Sequence, residues 1–406
     1  MVHRSRRVCR CGRLRHDEVV KARLALVLLI ACESPPAAEP AQPGPLPARL
    51  APAPTPPPPK TEPTPAPAPE APLPTRYPEL HETPEETIAH TLRPGEDLFE
   101  IAGRYDEAPR WLRKWNRLEA GDKARVGRRL NVRARRRPPA RERRTYVAKP
   151  GDTVRSVAVA HGIRARALAR LLRKKVDAPL EVDEAVEVWA EPTLMRWMSS
   201  PEGVAMQAAG IWGSYGVGAP DDGYLANAVA IPPSELWEIR FPHQVFGDSW
   251  AVQAAVEALT RFRDVSGYEG PLRVWSMSRR YGGEIAAHHS HRTGRDLDLK
   301  LPLRADLSGT LAVRPEWIDA AATWHLIESL AQTRRVQEIF LDHEIQKLVE
   351  SAAAELGVPE ARRRELLSAP RPRLSKAGLV RHYEGHDDHI HVRFTCAPWG
   401  VFCTDR

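Results

Sequence analysis

The sequence comprises 406 residues, of which 39 are proline, and has a formal net charge of +8. The length predicts two or three domains at about 100–200 residues each, and a proline content about twice the average indicates that part of the chain has no packed fold. Residues 193–406 carry 24 Lys and Arg against 27 Asp and Glu. The composition therefore argues against a uniformly basic nucleic-acid-binding protein, and we expect no nucleic-acid partner.

The first 32 residues have the pattern of an export signal. Eight Lys and Arg precede an apolar run of eight residues, 24–31 (LALVLLIA), which is too short for a membrane-spanning helix of about 20 residues. Cys32 follows directly, and the sequence LIAC resembles a bacterial lipobox. The resemblance implies a lipoprotein signal peptide over residues 1–32 and lipidation of Cys32. A short buried helix with a chance cysteine is the alternative.

This interpretation predicts where the protein resides. We expect a periplasmic protein that is held to the membrane by an N-terminal lipid anchor. By resemblance to lipoprotein sorting patterns, Glu33 after the cysteine favours the outer membrane of a Gram-negative cell.

The composition of residues 33–84 predicts a disordered spacer. Twenty of the prolines lie between Pro35 and Pro84, among Ala, Glu and Thr. Such a composition cannot bury a core and favours extended polyproline II, at about 3.1 Å per residue. A spacer of this length could hold the rest of the protein as much as ~150 Å from the anchor.

An internal repeat follows, over residues 88–134 and 144–192. The copies contain HTLRPGEDL at residues 90–98 and YVAKPGDTV at residues 146–154. In each copy a short strand leads to a Pro-Gly turn, after which an acidic residue or Thr can cap a helix. We predict two short amphipathic helices and a closing strand in each copy.

The repeat resembles the LysM module, a βααβ unit that binds the glycan of peptidoglycan or chitin. The first copy has the Trp115-Asn116 pair of the family before its final strand, whereas residues 173–175 (RKK) of the second replace the expected asparagine. Glycan binding by the second copy therefore stays open, and a domain that only packs against its neighbour is the alternative. The Arg-rich joint at residues 133–144 is interpreted as a solvated linker or as a surface for anionic wall or lipid.

Six of the 15 histidines fall into two short segments, 288–299 (HHSHRTGRDLDL) and 385–394 (GHDDHIHVRF). Polar and apolar residues alternate at the end of both segments, which predicts two strands. The alternation places two sets of polar residues on sheet faces, Asp296 with Asp298 and His389 with His391 and Arg393. The residues expected to face the core are Leu297, Leu299, Ile390, Val392 and Phe394.

Imidazole and carboxylate groups are zinc ligands, and a catalytic zinc typically has three protein ligands and one open position for water. That water becomes the nucleophile. The pattern His-x6-Asp, followed at a distance by His-x-His, therefore predicts a zinc site. A cluster of surface histidines or a hydrogen-bonded polar network is the alternative. Four other histidines are interpreted as non-ligands, namely His243, His325, His343 and His382.

The two segments resemble the signature motifs of the penicillin-insensitive murein endopeptidases. This family belongs to the zinc peptidases that include D-Ala-D-Ala carboxypeptidases and lysostaphin-type enzymes. The resemblance extends over about residues 208–400, within a domain predicted at residues 205–406. It implies three zinc ligands, which are His291, Asp298 and His391. It also implies that His389 is the general base and that His288 and His386 line the site and orient substrate or water.

The resemblance further implies the reaction. The family hydrolyses the D-alanyl to meso-diaminopimelyl cross-link of peptidoglycan without an active-site serine, which explains its insensitivity to β-lactams. Here the LysM modules would target the enzyme to the wall. A zinc D,D-carboxypeptidase and a catalytically inactive peptidoglycan-binding lipoprotein are the alternatives. Peptidoglycan and the anchoring membrane are the expected partners, and no protein partner is predicted.

For the C-terminal domain we predict an α+β fold, in which a small antiparallel sheet with flanking helices carries the zinc site. Helical periodicity covers residues 249–262, 315–332 and 344–356. Cys396 and Cys403 are the cysteines that remain beyond the predicted lipidation site. Because an exported protein meets an oxidising compartment, we predict that they form a disulfide, with two free buried thiols as the alternative.

Overall fold

A computed structural model describes residues 76–119, 122, 125–286 and 288–405. The predicted signal peptide, Cys32 and residues 33–75 of the predicted tether lie outside the described residues. Within the described part of the chain, no helix combines the length and the apolar character needed to cross a membrane.

Two small units of the same βααβ topology come first. The elements of the first unit are β1 (Glu86–Thr91), α1 (Leu98–Arg104), α2 (Pro109–Trp115) and β2 (Arg129–Ala134). The elements of the second unit are β3 (Glu142–Val147), α3 (Val154–Ala160), α4 (Ala165–Leu172) and β4 (Ala185–Ala190). The two strands of each unit pair antiparallel, and each unit encloses its own hydrophobic core. The predicted βααβ modules are thus confirmed.

Capping side chains start the first helix of each unit as the sequence predicts. The Asp97 carboxylate accepts the backbone N–H of Glu100 at the start of α1. At the start of α3, Thr153 and Ser156 exchange side-chain and backbone hydrogen bonds in a capping box. These bonds satisfy N–H groups that have no partner within the helix.

Asn116, the asparagine of the family pattern, has a structural role in the first unit. Its Nδ2 donates to the carbonyl oxygens of Leu112 and Asn131, and its Oδ1 accepts the Asn131 N–H, each at 2.8 Å. These bonds tie the end of α2 to β2. An arginine in the left-handed region just beyond the second helix is common to both units, Arg117 at φ 52° and Arg173 at φ 55°. In the second unit Lys174 Nζ donates to both carboxylate oxygens of Glu184, at 2.8 and 2.6 Å.

The C-terminal domain surrounds one mixed sheet. Its helices are α5 (Pro192–Met198), α6 (Pro201–Ala208), α7 (Ser249–Ser266), α8 (Ala320–Gln332), α9 (His343–Glu355) and α10 (Glu360–Leu366). Its strands are β5 (Tyr215–Ala219), β6 (Asp222–Ala226), β7 (Val229–Ala230), β8 (Glu238–Ile239), β9 (Phe246–Gly247), β10 (Arg273–Ser276), β11 (Asp296–Lys300), β12 (Val336–Phe340), β13 (Val380–Arg381) and β14 (His389–Phe394). Short 3₁₀ turns occur at Pro78–Leu80, Ala305–Leu307 and Pro315–Trp317.

The main sheet has the strand order β13-β12-β14-β11-β10-β8. Its four central strands pair antiparallel, whereas the short edge strands β13 and β8 pair parallel to their neighbours. Apolar side chains of the sheet and of α7 and α8 share one core, in which Leu297, Ile390, Phe262 and Leu326 are fully buried. The predicted α+β class is confirmed, with parallel pairs added at both edges.

The three predicted helices are present, with one difference at a helix start. The helix expected from Pro315 begins at Ala320, after a 3₁₀ turn that spans Pro315–Trp317. The physical reason is the Asp319 side chain, which accepts the Ala322 N–H at 2.8 Å and caps the helix there.

The predicted disordered tether ends earlier than residue 84. The Tyr77 N–H donates to the carbonyl oxygen of Pro398 at 3.1 Å, and the Arg196 guanidinium lies over the Tyr77 ring. Leu80 is buried in the core of the C-terminal domain. Tyr77 and Leu80 provide apolar surface that the preceding Pro-Ala sequence lacks, so this short segment can pack.

Cys396 and Cys403 form the predicted disulfide. The loop between them carries Trp399, which stacks on Trp197 with ring centroids 4.2 Å apart and meets Trp250 edge-on. The disulfide thus closes a loop whose aromatic residue is part of the domain core.

The Arg-rich joint between the two small units is partly buried. Arg141 lies between Glu100, at 3.1 Å, and Glu191, at 3.6 Å, with a side chain only 3% exposed. Arg136 is also buried and donates to the carbonyl oxygen of Cys403. For these two arginines the interpretation as a solvated linker or an anion-binding surface is wrong, because they connect the first unit to the rest of the protein.

A Gly103→Ala substitution tests how closely the first unit is docked. A Cβ at Gly103 would lie 1.8 Å from the Phe402 carbonyl oxygen, so two stretches of backbone must separate. We expect a loss of about 1–3 kcal/mol in the free energy of unfolding, as for other overpacked sites, although Ala is the better helix former. Thermal unfolding and limited proteolysis of the joint would measure this. Gly309→Ala, where a Cβ would meet nothing within 4 Å, is the control, and equal stability of both variants would contradict the docking.

Candidate metal centre and active-site cavity

The pairing of β11 with β14 builds the site. In this antiparallel register Asp298 faces His391 and Asp296 faces Arg393. The five residues predicted to face the core are fully buried, as the alternation requires. Two strands that are almost 100 residues apart in sequence therefore bring their polar side chains together over one face of the sheet.

Three atoms of the predicted ligands form a nearly equilateral triangle. The distance from His291 Nε2 to Asp298 Oδ1 is 3.2 Å, from His291 Nε2 to His391 Nδ1 it is 3.2 Å, and from His391 Nδ1 to Asp298 Oδ1 it is 3.1 Å. With bonds of about 2.0–2.1 Å, two ligands of a tetrahedral zinc ion are about 3.3 Å apart. The triangle thus has the size that three zinc ligands require.

Asp298 has a buried oxygen that fits a cation. Oδ2 accepts the Ser276 hydroxyl at 2.8 Å, whereas Oδ1, which belongs to the triangle, is buried without a hydrogen-bond partner. Such an orphaned carboxylate oxygen is costly unless a cation or another donor meets it. His288 adds a further nitrogen, because its Nδ1 lies 3.4 Å from Asp298 Oδ2, and the ligand atoms of His288, His291 and Asp298 lie within 4.8 Å of one another. The residues present therefore fit a metal ion.

His291 is held in an unusual backbone conformation. Its φ of 66° lies in the left-handed region, which residues with a Cβ seldom adopt. The Asp296 carboxylate accepts the His291 N–H at 2.9 Å, and the Met277 carbonyl oxygen accepts Nδ1–H at 2.7 Å. The second bond leaves Nε2 free to act as a ligand, as the supporting hydrogen bonds of metal-binding histidines commonly do.

Asp296 orients the other histidine of the triangle. Its Oδ1 accepts His391 Nε2–H at 3.1 Å and Arg393 Nε–H at 2.8 Å, so His391 Nδ1 is left for the triangle. Burial would raise the pKa of Asp296, but the hydrogen bond and positive charge of His391, together with Arg393, hold it well below the usual value. Burial would also raise the pKa of Asp298, but His291 and His391 outweigh burial and hold that pKa well below its usual value. Both carboxyl groups are therefore anionic.

The neighbouring carboxylates change the pKa of His391. Burial alone would lower the pKa of His391, but its hydrogen bond to Asp296 and the negative charges of Asp296 and Asp298 raise it to about 9. The two negative charges thus attract positive charge at the centre of the site. A cation bound there would take the place of that proton.

His389, the predicted general base, lies at the edge of the triangle. Its Nδ1 donates to Asp388 Oδ1 at 2.6 Å, and its Nε2 lies 3.8 Å from Asp298 Oδ1. The carboxylate holds the proton on Nδ1 and leaves Nε2 able to accept one. His389 is thus close to the three predicted metal ligands without being one of them, as a general base requires.

The triangle lies at a cavity of about 630 Å³. His288 and His386 line it, as the sequence predicts, and so does the exposed His289. Burial, with the neighbouring His389 and His391, lowers the pKa of His386 to about 4, and burial also lowers the pKa of His288. Both side chains are therefore neutral near pH 7 and can donate or accept hydrogen bonds to a substrate or water. None of the four histidines predicted as non-ligands lines this cavity, as far as the described residues go.

The sequence motifs alone assign no role to three residues that support the site, Asp296, Asp388 and Ser276. Asp388 directly precedes His389, and Asp296 lies two positions before Asp298, so their places in the motifs were a usable signal. Ser276 lies in β10, far from either motif, and only the pairing of β10 with β11 brings it to Asp298.

The fold is that of an α+β domain. Its site is a cluster of histidines and aspartates that suits a metal ion and lies at an open cavity. Residues 216–406 match the family model of the penicillin-insensitive murein endopeptidases, and residues 90–133 and 146–182 match that of the LysM domain. The C-terminal domain thus belongs to the penicillin-insensitive murein endopeptidase family and follows two LysM domains.

No curated protein matches the chain. Matched solved structures include the spore cortex-lytic enzyme SleL of Bacillus megaterium QM B1551, with 21% identity over 26% of this chain and 23% of that chain. SleL of Bacillus cereus matches with 15% identity over 67% of this chain and 49% of that chain. The chain covers less than half of each, and TM-scores of 0.12 support no inference about fold or function.

Proposed function

We propose that this protein is a zinc-dependent peptidoglycan endopeptidase that hydrolyses the D-alanyl to meso-diaminopimelyl cross-link. The observation that carries the proposal is the triangle of His291, Asp298 and His391 atoms, with sides of 3.1–3.2 Å, around an orphaned carboxylate oxygen. A cavity of about 630 Å³ gives a peptide access to it. The family of the C-terminal domain supports the choice of murein as substrate.

The residues around the triangle have distinct roles in this proposal. His291, Asp298 and His391 would hold the zinc ion, which when bound supplies Lewis acidity to the scissile carbonyl and to the attacking water. His389 Nε2 accepts a proton from that water and afterwards donates one to the leaving amine. Asp388 keeps the His389 ring oriented and stabilises it when it is protonated.

Wall binding is assigned to the LysM domains. On α2 of the first domain, Trp111 and Trp115 are 40% and 37% exposed, and their rings stack with centroids 5.9 Å apart. Exposed aromatic rings suit contact with the apolar faces of sugars. We assign glycan binding to the first domain on this basis. For the second domain we leave glycan binding open.

The proposed location rests on residues 1–75. We propose that the protein is exported, lipidated at Cys32 and held in the periplasm, at the outer membrane of a Gram-negative cell, by the Pro-rich tether. The Cys396–Cys403 disulfide supports an oxidising compartment.

Mass spectrometry of purified sacculi tests the proposed reaction. We expect the protein to convert cross-linked muropeptide dimers into monomers, to stop when a chelator is added, and to recover when zinc is restored. Loss of terminal D-alanine without dimer cleavage would instead indicate a carboxypeptidase. Unchanged muropeptides together with sedimentation of the protein on sacculi would indicate a binding protein, and either result would contradict the proposal.

A further inference from the structure

The cavity wall is built from two domains. Arg110, the second residue of α2 in the first LysM domain, lines the cavity together with His288 and His389 of the C-terminal domain. Among the described residues that line this cavity, it is the one contributed by a LysM domain. The wall-binding module thus reaches the site where the cross-link would be cleaved.

We propose that Arg110 binds a carboxylate of the peptide substrate and so determines which stem peptides are cleaved. This inference rests on the proposed function. It makes the first LysM domain part of the substrate site, in addition to any role it has in attachment to the wall.

The Arg110 guanidinium is available for a ligand. Its side chain is 56% exposed, and its nearest carboxylate, Asp221 Oδ2, is 4.0 Å away and equally exposed. Such an exposed and long ion pair contributes little. Arg393, the other arginine at the cavity, is committed to Asp296 at 2.8 Å and to Glu338 at 3.2 Å. Arg110 is therefore the arginine at this cavity that can exchange its partner for a substrate carboxylate.

Helix α2 is held firmly enough to position that guanidinium. Arg113, one turn further along, donates to both carboxylate oxygens of Asp222, at 3.1 and 3.4 Å, and its guanidinium lies over the Phe99 ring. At the start of α1, the Tyr224 hydroxyl donates to Asp97 Oδ2 at 2.9 Å. Because Asp222 and Tyr224 lie on β6 of the C-terminal domain, the LysM domain is anchored beside the cavity on both of its helices.

The chemistry of the substrate matches this arrangement. A diaminopimelyl residue that is linked through its side-chain amine keeps a free carboxylate near the cross-link. A guanidinium presents two parallel N–H groups to such a carboxylate. The acidic residues Glu384 and Asp405 also line the cavity, and they would repel a substrate carboxylate where they lie. Asp221, 4.0 Å from Arg110, would have to give up that weak pair when the substrate carboxylate binds. Outside the proposed zinc site, Arg110 is therefore the group on this wall that attracts a carboxylate.

Steady-state kinetics on two soluble cross-linked dimers test the proposal. One dimer carries the free diaminopimelyl carboxylate, and in the other this carboxylate is amidated. We expect Arg110→Ala to raise KM for the acidic dimer about tenfold, the scale of one charge-assisted hydrogen bond, with kcat within about twofold. The KM for the amidated dimer should hardly change, and Arg110→Lys should recover part of the loss.

Two further variants separate this role from a structural one. Arg129→Ala removes an exposed arginine of β2, in the same domain but outside the cavity lining, and should leave both KM values unchanged. Gly103→Ala, which displaces the domain, should reproduce the KM rise of Arg110→Ala. An unchanged KM for the acidic dimer in Arg110→Ala, or equal changes for both dimers, would overturn the proposal.

A binding measurement distinguishes failure of this proposal from failure of the proposed function. The acidic dimer is titrated into the His389→Ala protein and into the His389→Ala/Arg110→Ala protein, both loaded with zinc. We expect about tenfold weaker binding by the double variant. If the native protein cleaves neither dimer, the proposed function fails. If the two dissociation constants are equal, Arg110 does not bind the substrate carboxylate.

Discussion

His391→Ala is expected to abolish both metal binding and muropeptide cleavage. The substitution removes one corner of the triangle, whose Nδ1 lies 3.1–3.2 Å from the other two ligand atoms. It also leaves Asp296 and Asp298 as two buried carboxylates with less compensating charge. The loss of metal affinity should exceed the roughly 10- to 100-fold that removal of a supporting residue costs. Elemental analysis after dialysis and the dimer-cleavage assay would measure the two effects.

The control for this variant is a histidine outside the site. His243 is exposed and does not line the cavity, so His243→Ala should keep both metal and activity. Circular dichroism of His391→Ala would show whether the domain still folds. If a folded His391→Ala protein retains a full equivalent of zinc and full cleavage, His391 is not a ligand.

His389→Ala is expected to separate chemistry from metal binding. Its Nε2 lies 3.8 Å from Asp298 Oδ1, and its other nitrogen is bound to Asp388 rather than directed at the triangle. The variant should therefore bind zinc as the native protein does. Loss of the proton acceptor should lower kcat by about 10²–10⁴-fold, which is the usual contribution of a general acid–base group.

Asp388→Asn is the companion to His389→Ala. It keeps the size of the side chain but weakens the hydrogen bond that orients His389, so its kcat should lie between those of the native protein and His389→Ala. Zinc content and kcat are measured for both variants on the same dimer. Loss of zinc in His389→Ala, or native kcat in that variant, would contradict the assignment of His389 as general base.

The main features of the site could be predicted from sequence because they depend on local periodicity. In a strand, residues two apart share a face, so Asp296 and Asp298 belong together, as do His389, His391 and Arg393. Imidazole and carboxylate groups on such faces predict a metal site. The same local logic predicts the two βααβ modules, in which Asp97 and Thr153 cap the first helix.

Other features depend on partners that are remote in sequence. Ser276 supports Asp298 only because β10 pairs with β11. Arg136 and Arg141 look like part of a solvated basic run, yet they are buried against other domains. A charge pattern does not indicate whether a carboxylate or carbonyl from another domain will cover it.

The order of residues along the chain is enough to predict the chemistry and the modules of this protein. The identity and spacing of the histidines and aspartates predict a metal-dependent hydrolytic site, and the repeat predicts two LysM domains. Both predictions depend only on residue chemistry and short-range periodicity. The surfaces that those modules share are visible only in the folded chain. It places Arg110 of the first LysM domain in the wall of the catalytic cavity, because docking depends on complementary shape and charge between segments more than 100 residues apart.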